Sequence, residues 1–329
     1  MYFSPILKVY SYIALFMLVF LGVIEFSIWS QVLYVHETEW GSFSISSYYH
    51  VPRYFVVYPS FYFYELFPFF VLDKWFSIYV VFAFIFSVNL LSSSLVKLSD
   101  GFFSALNLKK NHVYFFILIA MFPILFLING RGVFGILSAS ILLYLYSYKN
   151  QMSVIKVLIV SFLVLFFSSV SSGFFIIAFS SLLMLFIYKI KIYSKKIIFT
   201  GFFIIVFAYF SMDIVSYIFS KNINFYGGGW SGFYNMLNHG FGKFFLGKDL
   251  FFLVQVFLIL LFSIINFILI FQLPFIKRHF YLLSVILITF IVGVFGYTSL
   301  SYSIPFIILF LFIMANSIKF KYNKDAGGL

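Results

Sequence analysis

Cysteine is absent, and only 9% of the 329 residues carry charge. The first absence excludes disulfides, thiolate catalysis and cysteine-ligated metal, and is neutral about compartment. The second excludes a soluble globular domain, in which about a quarter of residues are charged. Acids are scarcest, nine Asp and Glu against 21 Lys and Arg. In place of charge stand 64% hydrophobic residues, with 54 phenylalanines among them, and a mean hydropathy of +1.11. The phenylalanines read as lipid-facing bulk. Apolar runs continue for about twenty residues instead of alternating over about ten, which is the pattern of helices crossing hydrocarbon and not of barrel strands. The expected fold is all-α, a polytopic integral membrane bundle forming one membrane domain over residues 1–329.

A net charge of +12 would suggest nucleic acid in a soluble protein. Here the basic residues sit in short turns, where they act as topology signals, and no nucleic-acid partner is expected. Windows of about twenty residues give ten spans, at 9–30, 76–96, 113–129, 133–148, 154–171, 174–190, 197–215, 250–272, 280–298 and 302–318. The first follows Lys8, is too long for a signal-peptide core and lacks a small-residue cleavage site, so it is expected to remain as an anchor. Residues 54–72 are also apolar, but Pro59 and Pro68 break the run and Glu65 polarises it.

Charge decides between ten spans and eleven. If 54–72 does not cross, fifteen of the 21 basic residues fall on one side. The other side keeps Arg53, Lys74, Arg131, Lys221, Lys243 and Lys248. The positive-inside rule then places both termini in the cytoplasm and two long regions, 31–75 and 216–249, on the outer face.

Loops of that length usually carry function. Two of the three arginines, Arg53 and Arg131, lie on this lysine-poor side. Each reads either as a residue snorkelling to headgroups or as a ligand for phosphate or carboxylate, the anions a guanidinium fork matches. Arg131 sits in Asn129-Gly130-Arg131-Gly132, where the glycines suggest close backbone approach. His239, in Leu237-Asn238-His239-Gly240-Phe241-Gly242, is the first candidate for proton transfer, against a surface histidine without a role. Glu25, near the outer end of the first span, and Asp213, near that of the seventh, are functional acids or structural partners of an arginine. Tyr226 to Trp230, three glycines between aromatic residues, reads as a mobile lid or sugar-stacking loop, or as a plain flexible loop. His36 and His50 with Glu37 and Glu39 have no familiar metal-ligand spacing, and no metal is expected.

P-loop, serine-hydrolase and zinc motifs are not present, and no nucleotide-binding glycine fingerprint is expected. A reaction at the outer face would therefore use an already activated donor, without a cofactor. Polyprenyl diphosphate sugars are the usual activated donors there.

The ten-span architecture, the outward arginine of Ile128-Asn129-Gly130-Arg131-Gly132 and the loop with Asn238-His239-Gly240-Phe241-Gly242 resemble the Wzy-type polymerases of O-antigen and capsular polysaccharide, including the EpsG group. The resemblance covers most of the chain on loose motifs. It implies a bacterial inner-membrane glycosyltransferase that moves a glycan from undecaprenyl diphosphate onto another lipid-linked repeat unit. Arg131 and Arg53 would stabilise the leaving diphosphate, and the base would be His239 or, second, an outer carboxylate among Glu25, Glu37, Glu39 and Asp213. Trp230, Tyr226, Asn238, Lys243, Glu25 and Asp213 would contact substrate, with membrane lipids and a chain-length regulator as partners. An O-antigen ligase and a lipid-linked oligosaccharide flippase are the alternatives. The charge count makes its own prediction: a reporter fused after Asn111 should read as cytoplasmic, and a signal on the outer face would restore the eleventh span.

Overall fold

The computed structural model describes residues 5–38, 50–98, 110–189, 216–217, 219–238, 280–293 and 296–312. All regular structure among them is helical. Two of the expected spans, 197–215 and 250–272, lie outside the described residues, as do Asp213, His239 and Lys243. The chain divides into two compact units, Met1–Ala178 and Phe179–Leu329.

The first unit is built around α4, Leu72–Leu98, with α1 (Pro5–Phe20), α3 (Val51–Leu66) and α5 (Lys110–Met121) against it. Helix α2 (Ser30–Glu37) pairs with α3, and a short helix α6 (Ile124–Leu127) leads into α7, Gly130–Tyr148. Helix α7 lies between α4 and α8 (Val154–Ser168), and α9 (Ser172–Lys189) follows. Phe76, Val80, Phe84, Val88, Leu91 and Leu95 of α4 are all fully buried. Their steps of three and four residues put them on one face of a helix. Ser87 and Ser92, also buried, donate to the carbonyls of Ala83 and Val88 at 2.7 and 2.6 Å. Each hydroxyl is thus satisfied inside its own helix and adds little bulk, so neighbours pack closely without an orphaned polar group.

Helix α7 is buried nearly all round because it carries small residues where others approach. A Cβ at Gly130 would lie 2.8 Å from the Phe76 ring, and one at Gly135 would lie 2.6 Å from the Phe174 ring. Ser138 donates to the carbonyl of Val164 on α8 at 2.7 Å. Gly130, Gly132 and Gly135 have the G-x-G-x-x-G spacing of a dinucleotide-binding turn, but that turn joins a strand to a helix. Here α6 precedes them, and the glycines serve helix packing.

Helices α4 and α7 are long and apolar enough to cross a membrane. Shorter apolar helices show large exposed side chains on one side: Ile6, Val9, Ile13, Met17 and Phe20 on α1, and Val154, Ile155, Leu158, Ile159 and Phe162 on α8. Apolar surface of this kind marks contact with lipid or with a protein partner.

Two sequence expectations change. The first span, expected over 9–30, is helical only to Phe20: Gly22 turns the chain at φ 72°, and residues 24–29 run irregularly along α4. Side chains of α4 compete for that backbone, Ser77 Oγ accepting from Phe26 N at 2.8 Å and Asp73 Oδ1 from Ile28 N at 2.9 Å. Residues 54–72, where Pro59 is expected to break the run, contain α3, which runs through Pro59 and ends at Leu66.

In the second unit, α10 (Gly229–Leu237) follows a helical stretch over 219–225. Helix α11 (Phe280–Gly293) packs against the 3-10 helix Tyr297–Ser303, and the Tyr281 hydroxyl donates to the carbonyl of Ser181 at 3.1 Å. Overpacking costs about 1–3 kcal/mol. Gly135→Ala should therefore lower the thermal midpoint of the detergent-purified protein by several degrees, and an unchanged midpoint would show that α7 has room there.

Candidate functional site

The first turns of three helices meet in the first unit, and each supplies a polar side chain. Trp29 caps α2 without a side-chain bond, and Gln31 is its second residue. Asn129 caps α7, its side chain accepting from Gly132 N at 3.0 Å, and Arg131 is the second residue. Helix α3 begins at Val51 with Pro52, whose fixed φ suits a helix start, and Arg53 comes third.

These turns bring Arg131 onto α2. Its guanidinium is half-buried, with Cζ 4.5 Å from the centroid of the Trp29 ring, and Nη2 donates to Gln31 Oε1 at 3.0 Å. Trp29 is held edge-on by Phe76 at 5.8 Å, the same ring that fills the space at Gly130. Arg53 acts on Arg131 as a like charge, and its Nη1 lies 3.2 Å from His50 Nδ1. Among the described residues no carboxylate pairs with Arg131; Glu65 lies 3.9 Å from His36 and Glu25 lies 3.8 Å from Lys74.

Two cations in the first turns of helices are against the local field. The positive ends of α3 and α7 disfavour a cation there by roughly 0.3–1 kcal/mol each. The Trp29 face returns roughly 0.5–2 kcal/mol to Arg131. A charge-assisted bond to an anion is worth about 1.5–3 kcal/mol, comparable with or larger than those helix-end costs. The junction presents planar cationic donors, whose fork geometry matches an oxyanion.

The sequence reading singled out Arg131 and Arg53, and the structure brings them together. It missed Trp29, Gln31 and Phe76, which hold Arg131. An amide and an indole two residues apart just beyond an apolar run were the available signal. Glu25 is corrected: it lies beyond the end of α1 and not within a helix, its side chain is exposed, and its partner is Lys74 rather than an arginine. His36 is likewise engaged. Its ring stacks on Phe61 at 4.1 Å and its Nδ1 lies 3.2 Å from the Tyr54 hydroxyl, a clamp between α2 and α3. Burial, with Tyr58 and Glu65 nearby, pushes the Tyr54 phenol up, so it remains a neutral donor.

Tyr226, Trp230 and Asn238 belong to the second unit. No loop lies there. Gly228 N donates to the carbonyl of Ile223 at 2.9 Å and Gly227 N to that of Asn224 at 3.2 Å, a Schellman ending to the preceding helix. Gly227, Gly228 and Gly229 all have positive φ, at 115°, 74° and 53°, which explains the glycine run. At Gly232 a Cβ would lie 2.2 Å from the carbonyl oxygen of Ile223, so α10 folds tightly back on that helix. Trp230 is 86% exposed. Its ring meets Phe233 at 6.0 Å and is otherwise open to a ligand. The carbonyl of Tyr226 accepts from Asn235 Nδ2 at 3.0 Å, burial pushes its phenol up, and Asn238 caps the C-terminus of α10.

No family model, curated protein or solved structure matches this chain. The anion junction stands on its own geometry. Inorganic pyrophosphate should bind the detergent-purified protein, and Arg131→Ala should weaken that binding about tenfold or more, the loss of one charge-assisted contact. Calorimetry would check it, and equal affinity in the variant would discard the anion assignment.

Proposed function

We propose that the protein is an oligosaccharide polymerase of the bacterial inner membrane, of the Wzy type. It would join undecaprenyl-diphosphate-linked repeat units into O-antigen or capsular polysaccharide at the outer face. The observation that carries this reading is the half-buried Arg131 guanidinium, set beside Arg53 and free of any described carboxylate. The apolar exterior of α1 and α8 and the asymmetry of basic residues support a membrane setting with ten spans and cytoplasmic termini.

In the transfer, an acceptor hydroxyl forms a new bond to the anomeric carbon and the bond from that carbon to the diphosphate oxygen breaks. The hydroxyl proton passes to a base, and undecaprenyl diphosphate leaves. Negative charge grows on the departing phosphate oxygens, so preformed guanidinium donors bind the transition state more tightly than the ground state. Gln31 and Trp29 contribute by fixing the Arg131 fork in advance, and fixed donors need no reorganisation as charge develops. His239, the base suggested by the sequence, lies outside the described residues.

A strain carrying Arg131→Ala should keep single repeat units on its lipopolysaccharide and lose the long-chain ladder on a gel. A normal ladder at equal expression would sink the assignment. Polymer accumulating on the lipid carrier with a bare core would indicate a ligase, and a unit trapped inside would indicate a flippase.

A further inference from the structure

We infer that the cavity between residues 25–27 and the start of α4 binds a pyranose ring, as a sugar subsite beside the arginine junction. This deepens the polymerase reading and rests on it. The cavity holds about 420 Å³ and is lined by Glu25, Asp73, Lys74 and Ser77 together with Phe69 and Phe70. That volume falls within the roughly 300–1,000 Å³ typical of small-ligand sites.

The lining selects the ligand. Two carboxylates against one ammonium repel a second phosphate, so the cavity does not duplicate the arginine junction. Carboxylate and hydroxyl oxygens accept from ring hydroxyls, the ammonium donates to them, and the phenyl faces take the C–H side of the same ring. A neutral polyhydroxylated ring satisfies all of these at once. The site is also built in advance: Ser77 accepts from Phe26 N at 2.8 Å and Asp73 from Ile28 N at 2.9 Å, which pins the wall.

That wall continues directly into the anion receptor. Ser27 lines the cavity while Trp29 lies under Arg131. Two residues of chain separate their Cα atoms by at most about 7 Å. A sugar in the cavity and a diphosphate on Arg131 would therefore face two sides of one short strap.

The test is saturation-transfer NMR on the full chain in detergent, with the methyl glycosides of glucose, galactose, mannose and N-acetylglucosamine as probes and choline as the cationic control. At least one glycoside should give saturable transfer. The signal should fall fivefold or more in both Glu25→Gln and Phe69→Ala, exposed positions whose variants keep the helical circular dichroism. Arg131→Ala should leave it within twofold while losing pyrophosphate. Absence of any glycoside signal, a signal unchanged in both cavity variants, or choline binding that displaces the glycoside would overturn the inference. The two readings fail separately. A glycoside site together with a normal ladder in Arg131→Ala would remove the polymerase reading alone, and a lost ladder without glycoside binding would remove the sugar subsite alone.

Discussion

Gly130 lets α7 run against the Phe76 ring of α4 with no room for a Cβ, and the position of Arg131 follows from that contact. Phe76 also meets Trp29 edge-on, and Trp29 carries the guanidinium. One buried ring thus sets the approach of two helices and the floor of the charged junction. A side chain at residue 130 would move the helix start, and with it the reach of Arg131 to Gln31. Packing and electrostatics share a support here, and tight packing confines a group whose charge the local helix ends disfavour.

The chain between α1 and α2 links the features of the first unit. A helix continuing past Phe20 would have satisfied its own amides; instead Phe26 and Ile28 give theirs to Ser77 and Asp73. Those two bonds hold an irregular strap against α4, with the cavity on one stretch of it and the arginine junction on the next. Irregular backbone that is buried needs protein groups to satisfy it, and these two bonds supply partners for the buried amides.

Much of the helical framework was legible because apolar length is a strong signal: α4, α7, α8 and α9 begin and end within a few residues of the runs expected from the sequence. Helix ends were less legible. The apolar run through Phe20 continues across Gly22 to Ile28, so hydropathy alone could not see that side chains some fifty residues onward would capture the backbone. Arg53 and Arg131 stood out by their rarity, but their convergence depends on the pairing of α2 with α3, fixed by His36, Tyr54 and Phe61, a tertiary contact with no local periodicity. The glycines at 227–229 announced unusual backbone correctly. They specified a closed helical turn, and composition cannot distinguish that from a flexible loop.

Lys8 counts in the sequence as one positive charge that orients the first helix. In the fold its ammonium bonds to Asn89 Oδ1, 81 residues away, and lies 4.5 Å from the centroid of the Tyr114 ring. The same ammonium therefore ties α1 to α4 and α5 at once. In the folded chain it is a rivet across three helices. Charge alone does not make that joint: arginine would keep the charge but replace a compact ammonium with a planar fork, which does not fit the space between Asn89 and the Tyr114 ring in the same way.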